Sequence, residues 1–187
     1  GIAVLNDGVL TVRKYKGRLS VLEKNLESKP LSGTPGIGHT RWATHGEPSD
    51  RNAHPHLGGR RIEADGSGSP IAVVHNGIIE NYMELKKELI DEGYEFTSET
   101  DTEVLAHLID FFYNGDLIDA VKRVLRRIRG SYAFVALSSG EPDRMVCVRK
   151  ENPLIVGVGK NGNFAASDIP AILEYTHSIY LLEENEL

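Results

Sequence analysis

Cysteine is almost missing from this sequence: Cys147 is the only one in 187 residues. A single thiol cannot close an intrachain disulfide, so the chain suits a reducing cytosol, and metal sites built on paired cysteines are excluded. Long apolar runs are missing too. None approaches the roughly 20 residues that span a bilayer, and no basic stretch leading into a hydrophobic one opens the chain. A soluble, cytoplasmic protein with no membrane partner is expected. Nor is there an excess of positive charge: 21 basic and 27 acidic residues give a net charge of -6. That balance does not suggest the broad phosphate-neutralising surface of a nucleic-acid binder. The one basic cluster, Arg123, Arg126, Arg127 and Arg129, falls at helical spacing and reads as a solvated helix face. No repeat, linker or low-complexity tract interrupts the chain, and with 40% hydrophobic and 26% charged residues it is long enough for one globular domain with a substantial core.

What is present begins with Gly1-Ile2-Ala3-Val4-Leu5, an apolar strand-like run without an initiator methionine, which raises the expectation of a segment upstream. Asn6-Asp7-Gly8 separates Ile2 to Leu5 from Val9 to Val12, and the Asp-Gly pair suits a tight hairpin turn. Leu19, Val21, Leu22 and Leu26 suggest a short amphipathic helix before a Pro-Gly-rich break from Lys29 to Gly38. Ile71 to Val74 reads as a buried strand ending in a polar turn, His75-Asn76-Gly77. A helix follows, with Asn81 and Glu84 at capping-box spacing and Gly93 as its stop. Thr100 and Glu103 repeat the capping spacing, which puts Asp101 in the first turn of a second helix running through Val104, Leu105, Leu108, Phe111 and Phe112. A third runs from Asp116 through Leu117, Val121, Leu125 and Ile128 to Gly130. Tyr132 to Leu137, Met145 to Val148, Leu154 to Val158, Phe164 to Ala166 and Ile179 to Leu182 read as strands. Strands at both ends with helices grouped in the middle favour α+β layering over a parallel doubly wound fold.

The densest polar signal is Gly38-His39-Thr40-Arg41-Trp42-Ala43-Thr44-His45-Gly46, continuing to Asn52-Ala53-His54-Pro55-His56. Packing has little use for such a composition, and loops on a rigid scaffold are where binding residues gather. Read alone, His54 and His56 admit a metal site, but no cysteine lies nearby and the acids are not at familiar ligand spacing, so structural hydrogen bonding is the stronger reading. Arg41 carries a planar guanidinium that can grip a carboxylate through two hydrogen bonds, or it serves an ordinary ion pair. Asn76-Gly77 offers a side-chain amide beside a closely approachable backbone N–H, a pair able to form an oxyanion hole, although Asn-Gly is also a common turn. Asp101 sits where a helix N-terminus favours negative charge; it could hold an ammonium group or simply stabilise the first turn.

Taken in order, the 38–46 and 52–56 motifs, Val74-His75-Asn76-Gly77-Ile78-Ile79-Glu80-Asn81 and Ser98-Glu99-Thr100-Asp101-Thr102-Glu103 resemble the glutaminase domain of class II, N-terminal-nucleophile amidotransferases, in particular the glutamine:fructose-6-phosphate aminotransferase family. Gly130-Ser131-Tyr132-Ala133 and Ala165-Ala166-Ser167-Asp168 extend the likeness along nearly the whole chain. The resemblance implies a four-layer αββα fold of two antiparallel sheets between helices, with no cofactor and no metal. It implies that Arg41 holds the α-carboxylate of L-glutamine, Asp101 the α-ammonium, and Asn76 with Gly77 the oxyanion. Trp42, Thr44 and His45 would belong to a loop that closes over the substrate, and His54 would support the pocket.

In that family an N-terminal cysteine attacks the carboxamide, its own α-amino group acts as base, and a γ-glutamyl thioester and ammonia result. The Cys-Gly-Ile start that carries this nucleophile should lie about 30 residues before Gly1. Cys147 does not replace it, since its neighbours mark a core strand, and Gly1 has no side chain. The 187 residues are therefore expected to form the amidotransferase domain short of its beginning, and to be inactive as they stand. The family's sugar-isomerase domains, which bind fructose 6-phosphate and belong to a homodimeric protein, are absent from the chain. A non-catalytic glutamine-binding or regulatory module, a metal-binding protein, and the glutaminase of a purine or asparagine amidotransferase are the alternatives.

Overall fold

The computed structural model describes residues 1–41, 47–60, 71–184 and 186–187. The opening hairpin forms as expected: β1 (Ile2–Asn6) and β2 (Val9–Arg13) pair antiparallel with Asn6 opposite Val9. Asp7 and Gly8 both take positive φ, the conformation that lets a two-residue turn follow the right-handed twist of its strands. The helix α1 (Leu19–Ser28) also forms, but none of its residues is buried and Leu19 is 57% exposed. The Pro-Gly-rich stretch is not wholly a break. Its end is β3 (Gly36–Gly38), which puts Ile37 opposite Ala3 of β1. One apolar residue between two glycines is too short a pattern to announce a strand.

The strand expected to end at Val74 instead runs on as β5 (Ile71–Ile79), so His75-Asn76-Gly77 is no turn. It pairs along its full length with β6 (Gly130–Ser138), Asn76 opposite Ala133 and Gly77 opposite Tyr132. The short β4 (His56–Gly58) and β7 (Met145–Lys150) complete a four-stranded antiparallel sheet in the order β4-β5-β6-β7. Two smaller sheets accompany it. β2-β1-β3 is one, and the other, β10-β8-β9, is built from β8 (Ile155–Gly159), β9 (Gly162–Ala166) and β10 (Ile179–Leu181).

Period-2 alternation gives the four-stranded sheet two buried faces. Ile71, Val73 and Ile79 of β5 and Tyr132, Phe134 and Ala136 of β6 join one core with the helices α2 (Tyr82–Asp91), α3 (Asp101–Phe112) and α4 (Leu117–Leu125). Ala72 and Val74, with Ala133, Val135 and Leu137, join a second core with Ala3, Leu5 and Ile37 of the first small sheet and Leu154 and Val156 at the other. The expected α+β sandwich of antiparallel sheets and helices is what forms. One consequence matters for function: within β5, His75 falls in register with the helix-facing positions and Asn76 with those facing the small sheets.

Two helix boundaries differ from expectation. Asn81 makes no cap bond to α2; its amide donates to the Arg127 carbonyl and its side-chain oxygen accepts the Arg129 N–H, tying α2 to the segment after α4. That segment is the second difference, because α4 ends at Leu125 and Gly130 already belongs to β6. Of the four clustered arginines only Arg123 is helical; it lies over the Phe112 ring, while Arg127 pairs with Glu88. Asp116 and Thr100 do cap, accepting the N–H groups of Asp119 and Glu103. Among the described residues no helix is long and apolar enough to cross a membrane.

The fit of α3 against β4 is tight enough to test. A Cβ added at Gly58 would lie 2.1 Å from the Ala106 carbonyl oxygen, whereas at Gly93, whose φ is +88, it would meet nothing within 4 Å. Gly58→Ala is therefore expected to destabilise the fold by about 3 kcal/mol or more through overpacking, and Gly93→Ala by about 1 kcal/mol through backbone strain alone. Urea unfolding of the two variants checks the ranking, and the reverse order would contradict the packing described.

Candidate functional site

Stretches distant in sequence meet where the second half of β5 passes the N-terminus of α3. The loop after β3 and the residues leading into β4 close the other sides. Together they enclose a cavity of about 470 Å³ whose walls include Arg41, His54, Asn76, Gly77 and Asp101, five of the residues singled out in the sequence. Trp42, Thr44 and His45 lie outside the described residues. His75, Thr102, Ser131 and Asn152 also line the cavity. The first three stand inside quoted motifs without having been given a role, and nothing in the sequence marked Asn152.

Asp101 is the first residue of α3 and is 3% exposed. Its carboxylate is held by the Ile79 N–H, which donates to Oδ2 at 2.8 Å, and the helix N-terminus adds favourable partial positive charge. The turn that delivers it is fixed by Glu103. One Glu103 oxygen accepts from the N–H and hydroxyl of Thr97, and the other from the N–H and hydroxyl of Ser98. A carboxylate so placed in a cavity wall is suited to an ammonium group.

Opposite in character is Gly77. Its φ is +121, and a Cβ there would stand 2.1 Å from the Ser131 carbonyl oxygen. Glycine at this point lets β5 and β6 approach and leaves the backbone beside Asn76 uncovered on the cavity. Asn76 Oδ1 lies 2.8 Å from His39 Nε2. Arg41 has a φ of 55; its N–H donates to His39 Nδ1 at 2.8 Å and its guanidinium donates to the Glu47 carbonyl.

His54 and His75 stand in the cavity wall, and the His56 ring lies against that of His54. His54 Nε2 and His75 Nδ1 both contact the Thr102 hydroxyl, at 2.8 and 3.0 Å, and His56 Nε2 contacts the Thr100 hydroxyl at 3.0 Å. Since a hydroxyl carries one proton, Thr102 donates to at most one of its two rings, and at least one ring donates to it. Burial holds His54 and His56 well below the usual histidine value, and His75 is lowered by the same cause, only partly offset by Asp101. His75 is thus neutral near pH ~7, and its 3.9 Å approach to Asp101 is not an ion pair. No group of three or more His, Cys, Asp or Glu placed to hold a metal ion occurs among the described residues. These rings spend a nitrogen on threonine hydroxyls instead.

A larger cavity, of about 690 Å³, opens between β7 and the β8-β9-β10 sheet, with Met145, Cys147, Val156, Phe164 and Leu182 in its walls. Of the charged residues in its lining, Arg144 pairs with Glu141, and Glu186 accepts from the Tyr180 hydroxyl and the Glu183 N–H. Burial pushes the Cys147 thiol up to about 11, so it remains protonated and poorly nucleophilic there.

A profile of the glutamine amidotransferase domain matches residues 62–174. The chain is 57% identical over 187 residues to a glutamine--fructose-6-phosphate aminotransferase [isomerizing] of Caldanaerobacter subterraneus subsp. tengcongensis, and 56% identical over 186 residues to that of Clostridium acetobutylicum. It spans only 29% of the length of these curated relatives, although all of this chain is covered. Among solved structures, the glutamine phosphoribosylpyrophosphate amidotransferase of B. subtilis superposes with a TM-score of 0.79 at 30% identity, covering 98% of this chain and 38% of that one. A structure described as the allosteric regulatory enzyme of purine biosynthesis gives a TM-score of 0.80 at the same identity.

The neutral imidazoles carry a pH signature. Their folded values lie below the unfolded value of about 6.5, so between the two the unfolded chain binds more protons, and the stability they contribute is complete above that value and lost as pH falls below it. The thermal midpoint is expected to drop between about pH 7 and pH 5, each such ring contributing up to about 1.4 kcal/mol per pH unit, with His56→Gln showing a shallower drop. Thermal denaturation across that range checks it; a midpoint that holds or rises on acidification contradicts burial of neutral rings.

Proposed function

The chain belongs to the glutamine amidotransferase domain family, and from that we propose that the 470 Å³ cavity binds L-glutamine and is where its carboxamide is hydrolysed. The observation that carries this reading is that Arg41, the buried Asp101 and Asn76, from three separate stretches, line one cavity. An α-amino acid presents a carboxylate and an ammonium at one end, which Arg41 and Asp101 complement in charge. Asn76 and the backbone of Gly77 would then lie at the carboxamide, as donors to the oxyanion of the tetrahedral intermediate. Such donors lower the barrier by roughly 3 to 4 kcal/mol each. His54, in the cavity wall, supports the pocket.

The reaction needs a thiolate at the carboxamide. Cys147 lines the other cavity and is held protonated, so the nucleophile is assigned to an N-terminal cysteine outside these 187 residues. Its sulfur attacks the carboxamide carbon; the thiol proton, moved by the cysteine's own α-amino group, leaves with the nitrogen as ammonia; water then cleaves the γ-glutamyl thioester to glutamate and restores the thiol. The 187 residues alone are inactive on this account.

The ammonia serves conversion of fructose 6-phosphate to glucosamine 6-phosphate in the cytosol, on isomerase domains of a longer, homodimeric protein. Identity of 57% to the sugar aminotransferase against 30% to the purine enzyme supports that acceptor. A non-catalytic glutamine-binding module is the rival, and it differs in requiring no upstream cysteine.

In the full-length protein Arg41→Lys is expected to raise KM for glutamine about 10-fold or more with kcat within about 3-fold, because a two-point grip becomes a point charge, while Asn76→Ala lowers kcat by about 10² to 10³ with little change in KM. Steady-state glutamate release measures both. An unchanged KM in the first variant, or an unchanged kcat in the second, removes that residue's role; glutamate release by the verified 187-residue chain removes the upstream nucleophile.

A further inference from the structure

His39 stands in the densest polar motif of the sequence yet faces no substrate in the reading above. It follows β3 directly, with its backbone pinned in both directions: the Gly1 nitrogen donates to the His39 carbonyl at 2.9 Å and the His39 N–H donates to the Gly1 carbonyl at 3.0 Å. Its ring lies against His54, centroids 4.4 Å apart. What distinguishes it is the pair of contacts made by its two nitrogens.

A backbone N–H can only donate, so the 2.8 Å bond from Arg41 N requires a bare lone pair on Nδ1. The single proton of the neutral ring is therefore on Nε2. Nε2 lies 2.8 Å from the Asn76 side chain, and the contact is favourable only if Asn76 presents its oxygen there; a flipped amide would set two donors against each other. With Oδ1 so engaged, the NH2 of Asn76 is turned away from His39. Burial keeps the ring neutral by holding its pKa below the ordinary value, outweighing the Asn76 bond that favours the charged form.

We propose that His39 is a positioning residue for the glutamine site: its Nε2–H fixes which face of the Asn76 amide meets the substrate, while its Nδ1 holds the Arg41 backbone. The inference rests on the oxyanion role given to Asn76. One imidazole thereby sets the register between the group that grips the α-carboxylate and the group that stabilises the reacting carbonyl. Arg41 takes a positive φ, a backbone state that L side chains rarely adopt, and its N–H bond to the ring helps to keep it there. Removing the Nε2–H leaves both anchors in the fold but frees the amide to rotate, so the loss falls on the transition state rather than on binding.

The test uses His39→Asn and His39→Gln in the full-length protein, each with Asn76 intact and in an Asn76→Ala background. Asparagine can still accept the Arg41 N–H from the position of Nδ1 but is too short to reach Asn76; glutamine can place an N–H where Nε2 stood. His39→Asn is expected to lower kcat for glutamine hydrolysis about 10-fold or more with KM within about 3-fold, His39→Gln to recover most of that loss, and His39→Asn to change kcat less than about 2-fold once Asn76 is alanine. Equal losses in both backgrounds, an asparagine variant as active as wild type, a glutamine variant no better than asparagine, or an effect confined to KM would each overturn the positioning role while leaving Asn76 in place. Wild-type turnover in Asn76→Ala alone would instead remove the oxyanion assignment, and this inference with it.

Discussion

A carboxylate taken out of water must find donors, and Asp101 finds one in the Ile79 N–H at 2.8 Å, which belongs to a different layer of the fold. That bond joins the N-terminus of α3 to the end of β5, the strand that carries Asn76 and Gly77. The His75 and His54 contacts to Thr102 and the His56 contact to Thr100 hold the same corner. The Glu103 bonds to Thr97 and Ser98 reinforce the same corner by fixing the turn before α3. The site is thus a place where two layers are locked in register by charged, directional contacts.

Strand alternation does the rest. Consecutive residues of a strand point to opposite faces, so His75 turns to the Thr102 hydroxyl on the helix side and Asn76 to His39 at the end of the first small sheet. One strand therefore reaches both walls of the cavity with adjacent residues. The glycine at 77 then opens the backbone between them, at a point where a Cβ would collide with Ser131. His54, His56 and His75 are uncharged, so they set no competing cation beside Asp101.

Much of this was legible in the sequence where local rules govern. The Asp7-Gly8 turn, the Thr100 cap that puts Asp101 at a helix start, and the helix-forming periodicities of α2, α3 and α4 depend on neighbours a few residues apart. Asn76-Gly77 misled because a common turn dipeptide sits inside a strand, and only pairing with β6, more than 50 residues on, decides between the two. Asn81 misled likewise, its partners being Arg127 and Arg129 rather than its own helix. The use of His39 was illegible for the same reason: its two ring contacts join residues 41 and 76, and no spacing announces that. Arg41, His54, Asn76, Gly77 and Asp101 were found through the family resemblance and their chemistry, and the fold brings all five to one cavity.

In the proposed site one amino acid would be gripped at both charged ends while its far carbonyl meets an amide. A crystal structure of the full-length protein with L-glutamine bound at the site tests it most directly. The expected complex has the α-carboxylate on Arg41, the α-ammonium on Asp101 and the carboxamide oxygen within hydrogen-bond reach of Asn76 Nδ2 and the Gly77 N–H. Glutamine bound between β7 and the β8-β9-β10 sheet, or in this cavity with its carboxamide on Arg41, would contradict it.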